Sequence, residues 1–146
     1  MSCPTKYLSD TGDFWKYYTL QETAPILTVV IGGNHESSNY FRELYFGGWL
    51  APKIYYLGQS GVINVEKDGQ VTRIAGLSGI YKPYSFNKIH PEVPIPDYVK
   101  KSVYHVREIE AVKLSLLDKK KPIDIFLGHD WTGGVFKFGT EAAKNK

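Results

Sequence analysis

Two short apolar runs stand out along the chain, and each is followed at once by polar residues of types that can bind a metal ion or a phosphate. The first covers positions 26–31 and the second covers positions 123–127. Runs of this length and composition are typical of strands that are buried on both faces of a mixed or parallel sheet. The first leads into Gly32-Gly-Asn-His-Glu36 and the second into Gly128-His-Asp-Trp131. The pattern therefore predicts two buried strands that each end at a histidine.

The rest of the first half predicts a hairpin, a further strand and two short helices. Strands are expected at 54–57, 62–66 and 71–77, and helices are expected at 36–45 and in the aromatic stretch that ends near Leu20. Asp68-Gly69 stands between two alternating runs, which is a strong signal for a tight hairpin turn.

A proline-rich stretch and then a periodic stretch occupy the second half. Four of the eight prolines lie between Lys82 and Pro96, so a long ordered loop is expected there. Asp97 is suited to the N-cap position, and apolar residues recur every three or four positions from Val99 to Leu116. This spacing predicts one amphipathic helix of about twenty residues.

Composition narrows the class of protein. A chain of 146 residues, 42% hydrophobic and 23% charged, is about one globular domain, and no stretch approaches the roughly 18 apolar residues of a membrane span. The net charge of +3 is compatible with a polyanionic ligand and is too small to indicate one. A single cysteine, Cys3, excludes an internal disulfide, and no secretory signal is recognisable, so cytosol or nucleus is expected.

The four histidines divide into two pairs by their context. His90 in the proline-rich loop and His105 in the periodic stretch are expected to be structural, with a substrate contact as the alternative for His90. His35 and His129 each follow a predicted strand and lie near glycine, at the place where α/β proteins gather their active sites. Asn34 adds a neutral oxygen ligand beside His35. The pattern points to a site for a metal ion and a phosphate, and so to phosphoester chemistry.

Several longer blocks carry a resemblance to a known family. The blocks are Ile31-Gly-Gly-Asn-His-Glu-Ser-Ser-Asn39, Gly47-Gly-Trp49, Ala51-Pro-Lys-Ile-Tyr-Tyr-Leu-Gly58, Gly76-Leu-Ser-Gly-Ile80, Tyr104-His-Val-Arg107 and Ile123-Asp-Ile-Phe-Leu-Gly-His-Asp-Trp131. In this order, from about Pro4 to Lys137, they resemble RNA lariat debranching enzymes, a branch of the calcineurin-like metallophosphoesterases. The resemblance implies an α/β metallophosphoesterase sandwich, with mixed sheets flanked by helices, that is incomplete at both ends and fills residues 1–146.

The resemblance also implies roles for the site residues and a reaction. Asn34 and His129 would be metal ligands, and Asp130 would orient His129 from behind. His35 would be the catalytic residue that contacts the phosphate and protonates the leaving 2′ oxygen. The cofactors would be two divalent metal ions, Mn, Fe or Zn, and the reaction would be hydrolysis of the 2′-5′ phosphodiester in excised intron lariats. The expected compartment is the nucleus, with the cytoplasm as a second one.

Residues 78–107 resemble the insertion with which this family recognises branched RNA. The stretch has five basic residues against two acidic ones, interleaved with aromatic residues. The residues expected to bind RNA are Lys82, Lys88, Lys100, Lys101, Arg107 and Tyr84. Basic groups suit phosphates, and aromatic faces suit unstacked bases. The alternative is a loop that packs its aromatic residues on the sheet.

Three family motifs have no counterpart in the sequence, which leaves Asn34, His35 and His129 of the expected site. The motifs are an N-terminal Cys-x-His, a Gly-Asp, and a His-x-His pair beyond the last residue. Two ligands do not close a two-metal site. Three interpretations follow: a debranching enzyme that needs the missing segments, a non-catalytic remnant that still binds RNA, and a broader metallophosphodiesterase.

Overall fold

Six strands of the described part form two mixed sheets, which confirms the predicted α/β class. The structure, a computed structural model, describes residues 12–134 except for the side chain of Ser38, and Cys3 lies outside this range. In the first sheet, β1 (Thr28–Val30) pairs in parallel with β3 (Ile54–Tyr56), and β2 (Gly48–Ala51) pairs antiparallel with β3. The order is therefore β1-β3-β2. The strand β2 was not predicted, since its Gly-Trp-Leu-Ala sequence has no clear alternation.

The second sheet contains the predicted hairpin. β4 (Ser60–Lys67) pairs antiparallel with β5 (Gln70–Leu77), and β6 (Ile125–Gly128) pairs in parallel with β5. Asp68 and Gly69 form the turn with φ of 53° and 77°. Positive φ at both central residues is the geometry of a type I′ turn, which matches the twist of the strands. The Asp-Gly signal is confirmed.

Among residues 12–134, three of the five helical elements precede or interrupt the proline-rich stretch. The elements are α1 (Phe14–Tyr18), α2 (Ser38–Glu43), α3 (Pro83–Phe86), a 3-10 helix (Asp97–Ser102) and α4 (Glu108–Ser115). The helices α1 and α2 confirm the two short helices that were predicted. The prediction of an unbroken loop over Lys82–Pro96 is wrong at α3, where a proline starts a single helical turn.

The prediction of one helix of about twenty residues is wrong, because the helical conformation is interrupted between the 3-10 helix and α4. His105 forms an isolated bridge to Ile80, and the amide of Val106 donates to the Ile80 carbonyl oxygen at 2.9 Å. These strand-like bonds draw Val103 and Val106 into the core. Asp97 is also not the N-cap, since Pro96 precedes the 3-10 helix and the Asp97 carboxylate pairs with Lys100.

The prediction that the two apolar strands are buried on both faces is wrong. Residues of β1 are half-buried, and Phe126 of β6 is 52% exposed. Each lies at the edge of its sheet, and within residues 12–134 no further strand covers either edge.

The core lies instead where the two sheets meet. Leu57 follows β3, and its Cδ1 lies 2.7 Å from where a β-carbon on Gly76 of β5 would be. Leu57 and Tyr56 are buried there together with Ala75. Within the described residues, no helix is long and apolar enough to cross a membrane.

Candidate active site

The ends of β1 and β6 meet through Gly33 and His129, although the two strands belong to different sheets. A β-carbon on Gly33 would lie 2.4 Å from Cδ2 and 2.5 Å from Nε2 of His129. Real β-carbons essentially never approach so closely, so a larger residue at position 33 would force the exposed His129 ring to move. The contact brings the Asn34-His35 turn beside His129, as expected from their positions after two strands.

Ser78 holds the glycine turn in place. The amide of Gly32 donates to Ser78 Oγ at 3.0 Å, and that hydroxyl donates to the Gly58 carbonyl oxygen at 2.6 Å. The amide of Gly79 donates to the Gly32 carbonyl oxygen at 2.8 Å. Ser78 is buried, so these bonds are sheltered from water. The end of β5 therefore fixes the backbone just before Asn34.

Asp130 supports His129 from the opposite side of the imidazole ring. Its Oδ1 lies 3.4 Å from His129 Nδ1, and its Oδ2 accepts a hydrogen bond of 2.7 Å from the amide of Tyr81. The second bond ties the loop after β6 to a residue 49 positions away. With Nδ1 directed to Asp130, the Nε2 of His129 faces Gly33.

His35 and Asn34 lie on the turn with different exposure. The His35 side chain is exposed, and its backbone amide donates to Glu36 Oε2 at 3.1 Å. Asn34 is half-buried. Between residues 12 and 134, no three His, Cys, Asp or Glu side chains converge as a metal site would require. Asn34 and His129 are thus two suitable donors without the remaining ligands of a metal ion.

A buried carboxylate that the sequence pattern did not suggest lies behind this turn. Glu110 of α4 is 0% exposed and accepts hydrogen bonds from Tyr45, Ser60, His90 and Lys113. Burial opposes the ionisation of Glu110, but the hydrogen bonds outweigh it and lower the pKa to about 2. No local pattern marks Glu110, because its partners Tyr45 and Ser60 lie 65 and 50 positions away along the chain.

The remaining two histidines take structural places. His105 is buried, with Nδ1 2.9 Å from Ser85 Oγ, as the structural interpretation predicted. Burial, with the nearby charges of Arg107 and Lys82, lowers the pKa of His105. His90 bonds Glu110, which favours the structural alternative over a substrate contact.

Comparison with known proteins adds to this geometry. No family model matches the chain. A protein of Drosophila melanogaster is 49% identical over 97% of the chain, one of Schizosaccharomyces pombe is 49% identical over 97%, and one of Homo sapiens is 46% identical over 97%. All three are named lariat debranching enzyme. This chain is similar to lariat debranching enzymes. It covers 26%, 29% and 25% of these relatives, so it spans about a quarter of their length.

Most of the residues of this chain that were expected to bind RNA lie at or near the surface. Lys88, Lys101 and Tyr84 are exposed, while Lys82 and Lys100 are half-buried. Lys100 pairs with Asp97, its Nζ 2.5 Å from Oδ1. The segment also exposes Tyr98, one of its interleaved aromatic residues, at 88%. These residues present cations and aromatic faces together.

Arg107, the sixth residue expected to bind RNA, differs from the others because it is only 2% exposed. Its Nη2 donates to the carbonyl oxygen and to Oγ of Ser102, both at 2.9 Å. Burial, together with the charge of Arg42, lowers the pKa of Arg107. Arg107 therefore closes the turn between the 3-10 helix and α4, and the sequence could not separate this role from surface binding.

Proposed function

We propose that this chain forms part of an enzyme that debranches RNA lariats by hydrolysing the 2′-5′ phosphodiester at the branch point. The observation that carries the proposal is the contact between Gly33 and His129, which brings the Asn34-His35 turn and the His129-Asp130 loop to one place. Relatives that are 46% to 51% identical and named lariat debranching enzyme support the choice of substrate. Excised intron RNA in the nucleus would be the natural source of that substrate.

The proposal includes a fold and a division of labour. The two mixed sheets with flanking helices support a partial calcineurin-like metallophosphoesterase sandwich. Residues 78–107 would be its RNA-recognition segment, with Lys82, Lys88, Lys100, Lys101 and Tyr84 facing the substrate. Arg107 would act only by holding this segment in shape.

Asn34 and His129 would hold a divalent metal ion, Mn, Fe or Zn. A neutral amide oxygen and an imidazole nitrogen oriented by Asp130 suit such ions. Two donors do not complete a coordination sphere, so further ligands would come from parts of the relatives that this chain does not match. When bound, divalent metals supply a nucleophilic hydroxide and neutralise charge on the phosphoryl oxygens.

His35 would act on the substrate itself. Its exposed imidazole stands next to Asn34, so it can reach the phosphate without being a metal ligand. A protonated imidazole there would donate a hydrogen bond to a phosphoryl oxygen and pass a proton to the leaving 2′ oxygen. Asp130 would keep the His129 ring from rotating and would take no proton.

A chimera tests these roles, in which this chain replaces the segment it matches in the Homo sapiens lariat debranching enzyme. We expect His35→Ala to lower turnover on a 2′-5′ branched RNA while metal content stays at the level of the parent chimera. Asn34→Ala and His129→Ala should lower both turnover and metal content. Equal metal loss in all three variants would show that the role given to His35 is wrong.

A second candidate function is RNA binding without catalysis. Two observations favour it: the described residues bring no three acidic, histidine or cysteine ligands together, and residues 78–107 expose cations and aromatic rings. It predicts that the chain alone binds RNA with an affinity that falls as salt rises.

A charge-matched pair of variants tests this second function. Replacing Lys88, Lys100 and Lys101 by Gln should weaken binding, while the same change at Lys119, Lys120 and Lys121 should not. All three control lysines are exposed and lie outside the segment. Equal affinity in both triple variants would exclude binding through this segment.

A further inference from the structure

Glu110 is the most highly connected buried charge among the described residues. Its Oε2 lies 2.5 Å from Ser60 Oγ and 3.2 Å from Lys113 Nζ, and its Oε1 lies 3.2 Å from His90 Nε2. The hydroxyl of Tyr45 also donates to Oε1. A carboxylate so far from water is stable only when its oxygens are saturated with donors, as they are here.

Two of these partners belong to the part of the fold that holds the Asn34-His35 turn. Tyr45 follows α2, which begins just after that turn, and it lines the cavity behind the turn together with Gly33 and Glu36. The Tyr45 carbonyl oxygen also accepts a hydrogen bond of 2.9 Å from the amide of Gln59. Ser60 starts β4. The hydrogen bonds from Tyr45 and Ser60 therefore link Glu110 to the part of the fold that contains the sheets.

The third partner belongs to the proline-rich segment. The His90 side chain is 7% exposed, and its ring packs edge-on against Tyr45 with 5.4 Å between centroids. The backbone bonds on either side of it are local, since the amide of Lys88 donates to Ser85 and the amide of Val99 donates to Pro96. The His90 side chain, in contrast, links the segment to Glu110 of α4.

We propose that Glu110 is a positioning residue that, through His90, sets where the recognition segment stands relative to the Asn34-His35 turn. The inference rests on the proposed function, because it gives the segment 78–107 the task of binding branched RNA. One carboxylate touches both Tyr45 at the wall of the turn and His90 in the segment, so it joins recognition to the candidate chemistry.

Ordering a flexible loop costs conformational entropy at every residue that is fixed, and prolines lower this cost without choosing a location for the loop. A hydrogen bond to a charged group is strong enough to make that choice. Without it, the segment would have to be ordered when the RNA binds, at the expense of affinity.

The experiment compares four single-substitution variants with the parent chain. His90→Leu removes the tether and leaves Glu110 three donors, so folding should survive. His90→Gln restores a donor that can reach Glu110. Glu110→Gln removes the charge, and Glu108→Gln is the matched control, because Glu108 is an exposed glutamate of the same helix. Amide hydrogen exchange is followed throughout, and affinity is measured for a 2′-5′ branched RNA.

We expect exchange in 87–99 to rise about tenfold or more in His90→Leu, with β4 and β5 unchanged, and to return towards the parent rate in His90→Gln. Affinity for the branched RNA should fall in His90→Leu and recover in His90→Gln. Glu108→Gln should behave as the parent chain. Faster exchange in all elements together, or no rescue by His90→Gln, would overturn the proposal and leave Glu110 as a core stabiliser. If the parent chain binds no branched RNA, RNA binding by the chain alone is excluded, while the exchange rates still decide whether Glu110 positions the segment.

Discussion

Gly33 lies against the imidazole ring of His129, and this contact joins two strand ends that come from separate sheets. A β-carbon on Gly33 would stand 2.5 Å from His129 Nε2, the nitrogen that the Asp130 carboxylate leaves available. The backbone at Gly33 therefore packs against the imidazole ring of His129.

Gly33→Ala should displace His129 and weaken the proposed metal site. A methyl group cannot occupy the space of Cδ2, so the exposed His129 ring must move from its place beside the turn. In the chimera, metal content measured by mass spectrometry should fall together with turnover. Gly133→Ala is the control, since nothing lies within 4 Å of its added carbon. Normal metal content in Gly33→Ala would contradict the placement of His129.

Asp130→Asn should lower metal affinity without unfolding the chain. The amide can still accept from the Tyr81 amide, but it no longer places a negative charge 3.4 Å from His129 Nδ1. Loss of such a partner typically costs about 10–100-fold in metal affinity or activity. Titration of the chimera with Mn²⁺ gives the affinity, and Asp68→Asn in the exposed hairpin turn should leave it unchanged.

Ser78→Ala should destabilise the glycine turn. The change removes the acceptor of the Gly32 amide and the donor to the Gly58 carbonyl oxygen, and a buried group left unsatisfied costs about 1–3 kcal/mol. Urea unfolding should show the loss, whereas Ser115→Ala, at an exposed position of α4, should cost far less. A neutral effect would mean that the turn does not depend on Ser78.

Acid should remove the stabilisation that Glu110 provides. Its pKa is lowered to about 2 in the folded chain from an ordinary value of 4.5, so its contribution is complete above pH 4.5 and is lost as the pH falls towards 2. The free energy of unfolding of the parent chain should therefore fall more steeply over this window than that of Glu110→Gln. Parallel curves for the two chains would contradict the ionised state of Glu110.

The sequence predicted the turns better than the burial. Asp68-Gly69 follows from a local rule, because a hairpin turn with positive φ at both central residues leaves a mark in the sequence. The exposure of Phe126 depends on which strands lie beside β6, and no local pattern records that.

The same contrast separates the site residues. Asn34 and His129 were selected as candidate site residues because each follows a predicted strand, whereas Glu110 depends on Tyr45 and Ser60, which are 65 and 50 positions away. The burial of Arg107 was missed for a related reason: a basic residue in a basic segment does not reveal that its guanidinium faces Ser102.

The most direct test of the proposed function compares two RNAs of equal length in the chimera, one with a 2′-5′ branch and one linear with only 3′-5′ bonds. With divalent metal supplied, we expect the branched RNA to be cut at the 2′-5′ bond and the linear RNA to remain intact. A folded, metal-loaded chimera that leaves the branch uncut, or that cuts both RNAs alike, would contradict the assignment of this chain to lariat debranching.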